Sequence, residues 1–187
     1  ITADASAPAG VAYPKWSVIT FQFPPTKACP KGVKMTWHDG GKRPKPPAGA
    51  DPRLNVGGNG CMIVGSKMSA MGGSHAGTPR PIAVGNKFDK AAIDKESAHW
   101  RSEHGKLRGT DHHREWVEAA KKGDINAPGS NFMYAAPMSA SLALGAVALR
   151  FPGTELKWND KSGKFINHKE ANKWITIDPR KGYDLKV

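Results

Sequence analysis

Cysteine is scarce in this chain: two residues in 187, Cys29 beside Pro30 and Cys61 within an apolar run. Two thiols build no disulfide framework, and Cys61 reads as a small buried hydrophobe. No stretch approaches the roughly 18 consecutive apolar residues of a membrane-crossing helix. Nor does Ile1 open a charged and then apolar signal segment. An Ile start in place of Met predicts a chain cut from something longer, and the compartment stays open between bacterial cytoplasm and periplasm. Negative charge is also short, 16 Asp and Glu against 28 Lys and Arg, which leaves a net charge of +12 at pH 7. Nucleic-acid binding needs those cations clustered, because counterion release on meeting phosphates drives it. They are scattered instead among turns such as Lys42-Arg43-Pro44-Lys45, Lys121-Lys122 and Arg180-Lys181, with no zinc-finger spacing, ribonucleoprotein motif or basic helix. The expectation is a solvated basic surface, with no nucleic-acid partner and no membrane.

Catalytic signatures are missing too. Gly58-x-Gly60 is followed by Ile63 where a dinucleotide fingerprint needs its third glycine, and no strand–turn–helix surrounds it. Gly60 to Lys67 has the spacing of a phosphate loop, but its interior Cys61-Met62-Ile63-Val64 is a strand, and a strand cannot offer a nest of free N–H groups. His99, His104, His112 and His113, with Glu103 and Asp111, lack the His-Glu-x-x-His spacing of a helical metal site. Successive helical positions diverge by about 100°, so His112 and His113 do not share one ion. One is expected to face a cleft while the other is solvated or caps the helix. No serine sits in a Gly-x-Ser-x-Gly elbow. No residue is therefore assigned as catalytic and none as a metal ligand.

What the chain does hold is glycine and proline, 21 and 15 residues, which predict long irregular loops. Val18 to Phe23, closed by Pro24-Pro25, reads as a strand, and Val33 to His38 as a second that pairs with it through the Cys29-Pro30-Lys31-Gly32 turn. Trp37 is expected in the core, with His38 pointing the opposite way. Residues 40 to 58 read as a surface loop, Cys61 to Val64 as a strand leading on into Met68-Ser69-Ala70, and residues 72 to 110 as a second irregular excursion with a short helix near Lys90 to His99. Thr110 or Asp111 is set to cap a helix packed through Trp116, Val117 and Ala120 and stopped at Gly123. Another helix is expected from Pro137 to Arg150, with Ser130 capping a turn before it. It is thin enough, at Ala143, Gly145, Ala146 and Ala148, to approach a sheet closely. Asp160-Lys161-Ser162-Gly163 reads as a hairpin turn. The pattern is α+β: an open, largely antiparallel sheet with helices packed on one face, spanning residues 1–187 as a single domain. The other face stays free for a partner subunit or a cofactor domain.

Gly129-Ser130-Asn131-Phe132-Met133-Tyr134-Ala135-Ala136-Pro137, running into a Gly/Ala-rich helix that ends Val147-Ala148-Leu149-Arg150, resembles the C-terminal domain of the glucose–fructose oxidoreductase / inositol dehydrogenase / rhizopine-catabolism (Gfo/Idh/MocA) family. Tyr13 to Pro24, Val33 to Gly41, Asn59 to Lys67 and His113 to Ala119 are similar, in order, to further pieces of that domain. Met133, Ala136 and Ser139-Ala140-Ser141 depart from the family's bulkier or acidic residues, and Trp174 to Pro179 from its usually basic tail.

The resemblance implies a substrate-binding and oligomerisation domain of an NAD(P)-dependent oxidoreductase acting on a sugar, cyclitol or glycoside. An N-terminal Rossmann domain of the same protein would then hold the NAD or NADP and the catalytic residues. Self-association is expected through the open sheet face, since a layer with helices on only one side leaves apolar surface that must be covered. Two alternatives are an NAD-dependent glycosidase of the same family and a stand-alone binding or assembly module. Gly72 to Arg80 is the strongest candidate for contact with the carbohydrate-like substrate, because glycine lets a ligand approach the backbone while His75 and Arg80 supply polar contacts. His112, His113 and Asn131 complete the candidate substrate-binding set.

Overall fold

The computed structural model describes residues 1–74, 77, 79–85, 87–104, 111–176 and 180–183. They form an α+β arrangement of three helices and three small, open antiparallel sheets. The chain divides into two compact units, Ile1–Lys42 with His112–Val187, and Arg43–Asp111. The expected strands are present, spread over several sheets: pairing depends on which segments meet in space, which alternation along one strand does not encode.

In the first unit, β1 (Thr2–Ala5), β2 (Ser17–Phe23) and β3 (Val33–Asp39) lie in that order, all antiparallel. The register sets Ile19 between Ala3 and Trp37, and Phe21 opposite Met35. One face thus carries Ala3, Ile19 and Phe21, which α3 (Phe132–Ala148) covers with Val147 and Ala148. The close approach expected of this helix is realised at Gly145, where an added Cβ would stand 2.7 Å from Phe21 Cζ and 3.3 Å from Ile19 Cδ1. β1 is not left as a free edge, since Gly153 and Leu156 N–H groups donate to Ala3 and Ile1 carbonyls at 2.8 Å. The C-terminal hairpin, β7 (Trp158–Asn159) and β8 (Lys164–Phe165), adds Phe165 and the fully buried Leu156 to the same core. The Asn172 amide fastens it, accepting from Phe165 N–H at 2.7 Å and donating to Phe165 C=O at 2.9 Å.

Two expectations for this unit are corrected. Trp37 is not core: it is 53% exposed, because β3 is the edge strand and its outer positions extend past α3. The open sheet face carries Thr2, Asp4, Val18, Thr20, Gln22, Lys34, Thr36 and His38, so the apolar area expected to drive association through it is not there.

Helix α2 (His112–Lys122) ends in a Schellman motif. Gly123 takes φ +66° while Asp124 N–H reaches Ala119 C=O and Gly123 N–H reaches Ala120 C=O. Its buried residue is Ala119, whereas Trp116, Val117 and Ala120 are exposed, contrary to the expected packing stripe. α3 begins five residues before Pro137, capped by Asn131 and not by Ser130.

In the second unit β4 (Cys61–Val64), β5 (Met68–Gly72) and β6 (Arg80–Val84) form an antiparallel sheet, and α1 (Lys90–His104) packs on β6. β6 and the 15-residue length of α1 replace the irregular excursion expected there. Pro81 is tolerated because β6 lies at the sheet edge, where a residue without an N–H is accommodated. Cys61 is exposed, since β4 is the opposite edge. In the preceding loop Arg53 grips Asp51 through Nε at 3.1 Å and a second guanidinium nitrogen at 3.0 Å, which holds the Asp51 carboxyl below its usual range.

Candidate functional site

Arg80 opens β6, opposite Met71 and between Pro79 and Pro81. The two prolines hold its backbone extended while the side chain stands in solvent. α1 runs alongside with Ile93, Ser97 and Trp100 half-buried, at the i, i+4, i+7 spacing that puts them on one face. Between strand and helix lies a cavity of ≈ 760 Å³ lined by Arg80, the two prolines, Ile93, Asp94, Ser97, His99, Trp100, Arg101 and Glu103. That is within the roughly 300–1,000 Å³ range of small-molecule sites. Asp94 is bonded to Lys90 at 2.5 Å; among the described residues no carboxylate pairs with Arg80 or Arg101. The groove thus offers an indole and apolar floor ringed by donors and acceptors, a lining that can hold a polyhydroxylated ligand.

The glycines beside it are used by the chain itself. A Cβ on Gly72 would lie 2.9 Å from Gly77 C=O and 3.2 Å from Cys61 Sγ, and Gly77 N–H closes a turn on Ser74 C=O. His75 lies outside the described residues.

His112, His113 and Asn131 fall in the other compact unit from Arg80. The His112 and His113 rings lean together at 4.2 Å between centroids, and both are exposed. One ring was expected to face a cleft and the other to be solvated or to cap the helix; both stand exposed at the start of α2. Among the described residues no group of His, Cys, Asp or Glu is placed to hold a metal ion.

Asn131 is built into the backbone. Its Oδ1 accepts from Tyr134 N–H at 3.1 Å, and its Nδ2 donates to Pro128 C=O at 3.0 Å and Asn126 C=O at 3.3 Å. Glu115 on α2 accepts from Gly129 N–H at 2.9 Å, so the Gly129-Ser130-Asn131-Phe132 segment is pinned at both ends. From there α3 emerges with no charged side chain along its length, yet its first three turns are exposed: Phe132 is 87% exposed, with Met133, Tyr134 and Met138 beside it.

A second groove was not anticipated. Tyr13, Trp37 and Asp39 line ≈ 200 Å³ above Ile19 and Phe21, with Leu142 and Ala146 of α3 as its wall. Alternation had already placed Trp37 and Asp39 on one face of β3, two residues apart; assigning Trp37 to the core hid the pairing. Neither groove contains a phosphate-binding turn. Among the described residues every sheet is antiparallel, and the glycines around β4 lead into and out of a strand. No protein-family model matches the chain, and no curated protein matches it.

Proposed function

We propose that this chain is the substrate-binding part of an NAD(P)-dependent oxidoreductase acting on a sugar, a cyclitol or a glycoside. The observation that carries the reading is α3. The segment that bears the family resemblance is uncharged and apolar from Phe132 to Ala148, and its first three turns stand in solvent. A helix apolar on all sides is normally buried, and an exposed patch of such residues marks a surface that a partner covers. The cofactor-binding domain of the same protein is the partner this reading supplies. NAD or NADP bound there would exchange hydride with a secondary alcohol of the substrate. The residues of this chain bind and orient that substrate, with Arg80, Asp94 and Trp100 donating, accepting and stacking in the β6–α1 groove.

The test compares the 187-residue chain with the full-length protein. The chain alone is expected to show neither submicromolar NAD or NADP binding by calorimetry nor turnover, because the phosphate-cradling glycines and helix N-terminus are missing from it. In the full-length protein, hydrogen exchange is expected to slow across 132–142, and a panel of sugars and cyclitols should include one that reduces the cofactor. Free sugar released without net NADH would assign the glycosidase outcome instead. Tight cofactor binding by the chain alone, or an equally exposed α3 in the full-length protein, would sink the proposal.

A further inference from the structure

The Tyr13–Trp37–Asp39 groove is distinct from the one around Arg80 and has its own chemistry. Trp37 stands opposite Ile19 in the register, so its indole faces the α3 side of the sheet. It remains half-exposed because the helix passes this level with the small Ala146. Tyr13 is 74% exposed and lines the same groove. The floor of Ile19 and Phe21 is buried and apolar. Asp39 completes the lining: one carboxylate oxygen accepts from Gly40 N–H at 2.7 Å, and no cation pairs with the carboxylate among the described residues. The turn beyond it is tightly fixed, since Gly40 takes φ +65° and a Cβ there would collide with the Lys15 carbonyl and Trp16 Cα. That contact fixes Asp39 relative to the segment carrying Tyr13.

An exposed indole, with Tyr13 in the same lining, and a carboxylate without an ion-pair partner among the described residues, over an apolar floor, match a pyranose ring. The C–H face of the sugar packs on the indole and shields it from water, while equatorial hydroxyls donate to the carboxylate in bonds strengthened by its charge. The ≈ 200 Å³ of the groove suits one ring and not a chain of them. We infer that this groove is a second carbohydrate subsite, stacking one pyranose ring on Trp37 with its hydroxyls held by Asp39. The inference rests on the sugar reading above and adds to it a contact in the unit that does not contain Arg80.

The test is calorimetric titration of the 187-residue chain and its variants with methyl glycosides and a disaccharide, with the Trp37 indole N–H resonance followed in the unsubstituted chain and tetramethylammonium chloride as a parallel probe. Sugars should shift that resonance saturably. Trp37→Ala should weaken binding by about tenfold through lost stacking, and Asp39→Asn by roughly tenfold or more through the lost charged acceptor. Trp37→Phe and Tyr13→Phe, which keep an aromatic ring and disturb the fold least, should retain most of the affinity. Unchanged unfolding midpoints show that each variant is folded. No saturable shift with any sugar overturns the subsite, as does tetramethylammonium binding more tightly than every sugar, which would make the groove a cation cage. Cofactor reduction by the full-length protein is read separately. Retained turnover with no binding at Trp37 removes the subsite and spares the proposed function, whereas binding without turnover does the reverse.

Discussion

Replacing Gly145 with alanine sets two effects of opposite sign against each other in one helix. Removing a helical glycine favours the fold by about 1 kcal/mol. The new Cβ, however, would stand 2.7 Å from Phe21 Cζ and 3.3–3.4 Å from two Ile19 carbons. Phe21 is 2% exposed, and its ring is stacked on Phe23 at 6.2 Å, so it has little room to retreat. Overpacking of this kind costs about 1–3 kcal/mol, which leaves Gly145→Ala neutral to about 2 kcal/mol destabilising. Phe21→Leu removes the ring tip that the methyl would strike. In that background Gly145→Ala should recover its helix preference and stabilise by about 1 kcal/mol, giving a coupling of about 1–3 kcal/mol across the double-mutant cycle. Urea unfolding followed by far-UV circular dichroism measures each corner, with the midpoint moving and the slope constant. Additive effects, or a Gly145→Ala protein stabilised by about 1 kcal/mol with Phe21 intact, would refute the close approach of α3 to β2.

Asn131→Ala should lower stability by about 0.5–2 kcal/mol through loss of the α3 cap, and Asn131→Asp, which still accepts from Tyr134 N–H, should restore most of it in thermal unfolding; equal losses in both would contradict the capping role. Pro137 sits inside α3, where it denies Met133 C=O its helical donor, so Pro137→Ala should raise stability by about 1–3 kcal/mol in urea; a destabilised variant would mean that the helix needs the proline. Under the proposed function, Arg80→Ala in the full-length protein should lower kcat/KM by one to two decades, about 1.5–3 kcal/mol of lost charged hydrogen bonding, with cofactor affinity unchanged. Wild-type kinetics there would remove the β6–α1 groove from substrate binding.

What sequence alone determined here is local. Alternation from Ser17 to Phe23 and from Val33 to Asp39 made the strands, Gly32 and Gly163 at positive φ made their turns, and Gly123 stopped α2. These depend on φ/ψ preference and on the period of the pattern, which neighbouring residues carry by themselves. Burial was the property that sequence reported least well. Trp37, Trp116 and Cys61 were read as inward-facing residues, and all three are exposed. Whether an apolar side chain is covered depends on which distant segment arrives over it, and strand order with the path of α3 decided that. The same holds for both grooves. Arg80 was legible beside its prolines, but Trp100 joins it only because α1 packs on β6. Trp37 and Asp39 shared a face from the start, and only the register against β2 and the small residues of α3 left that face open to a ligand.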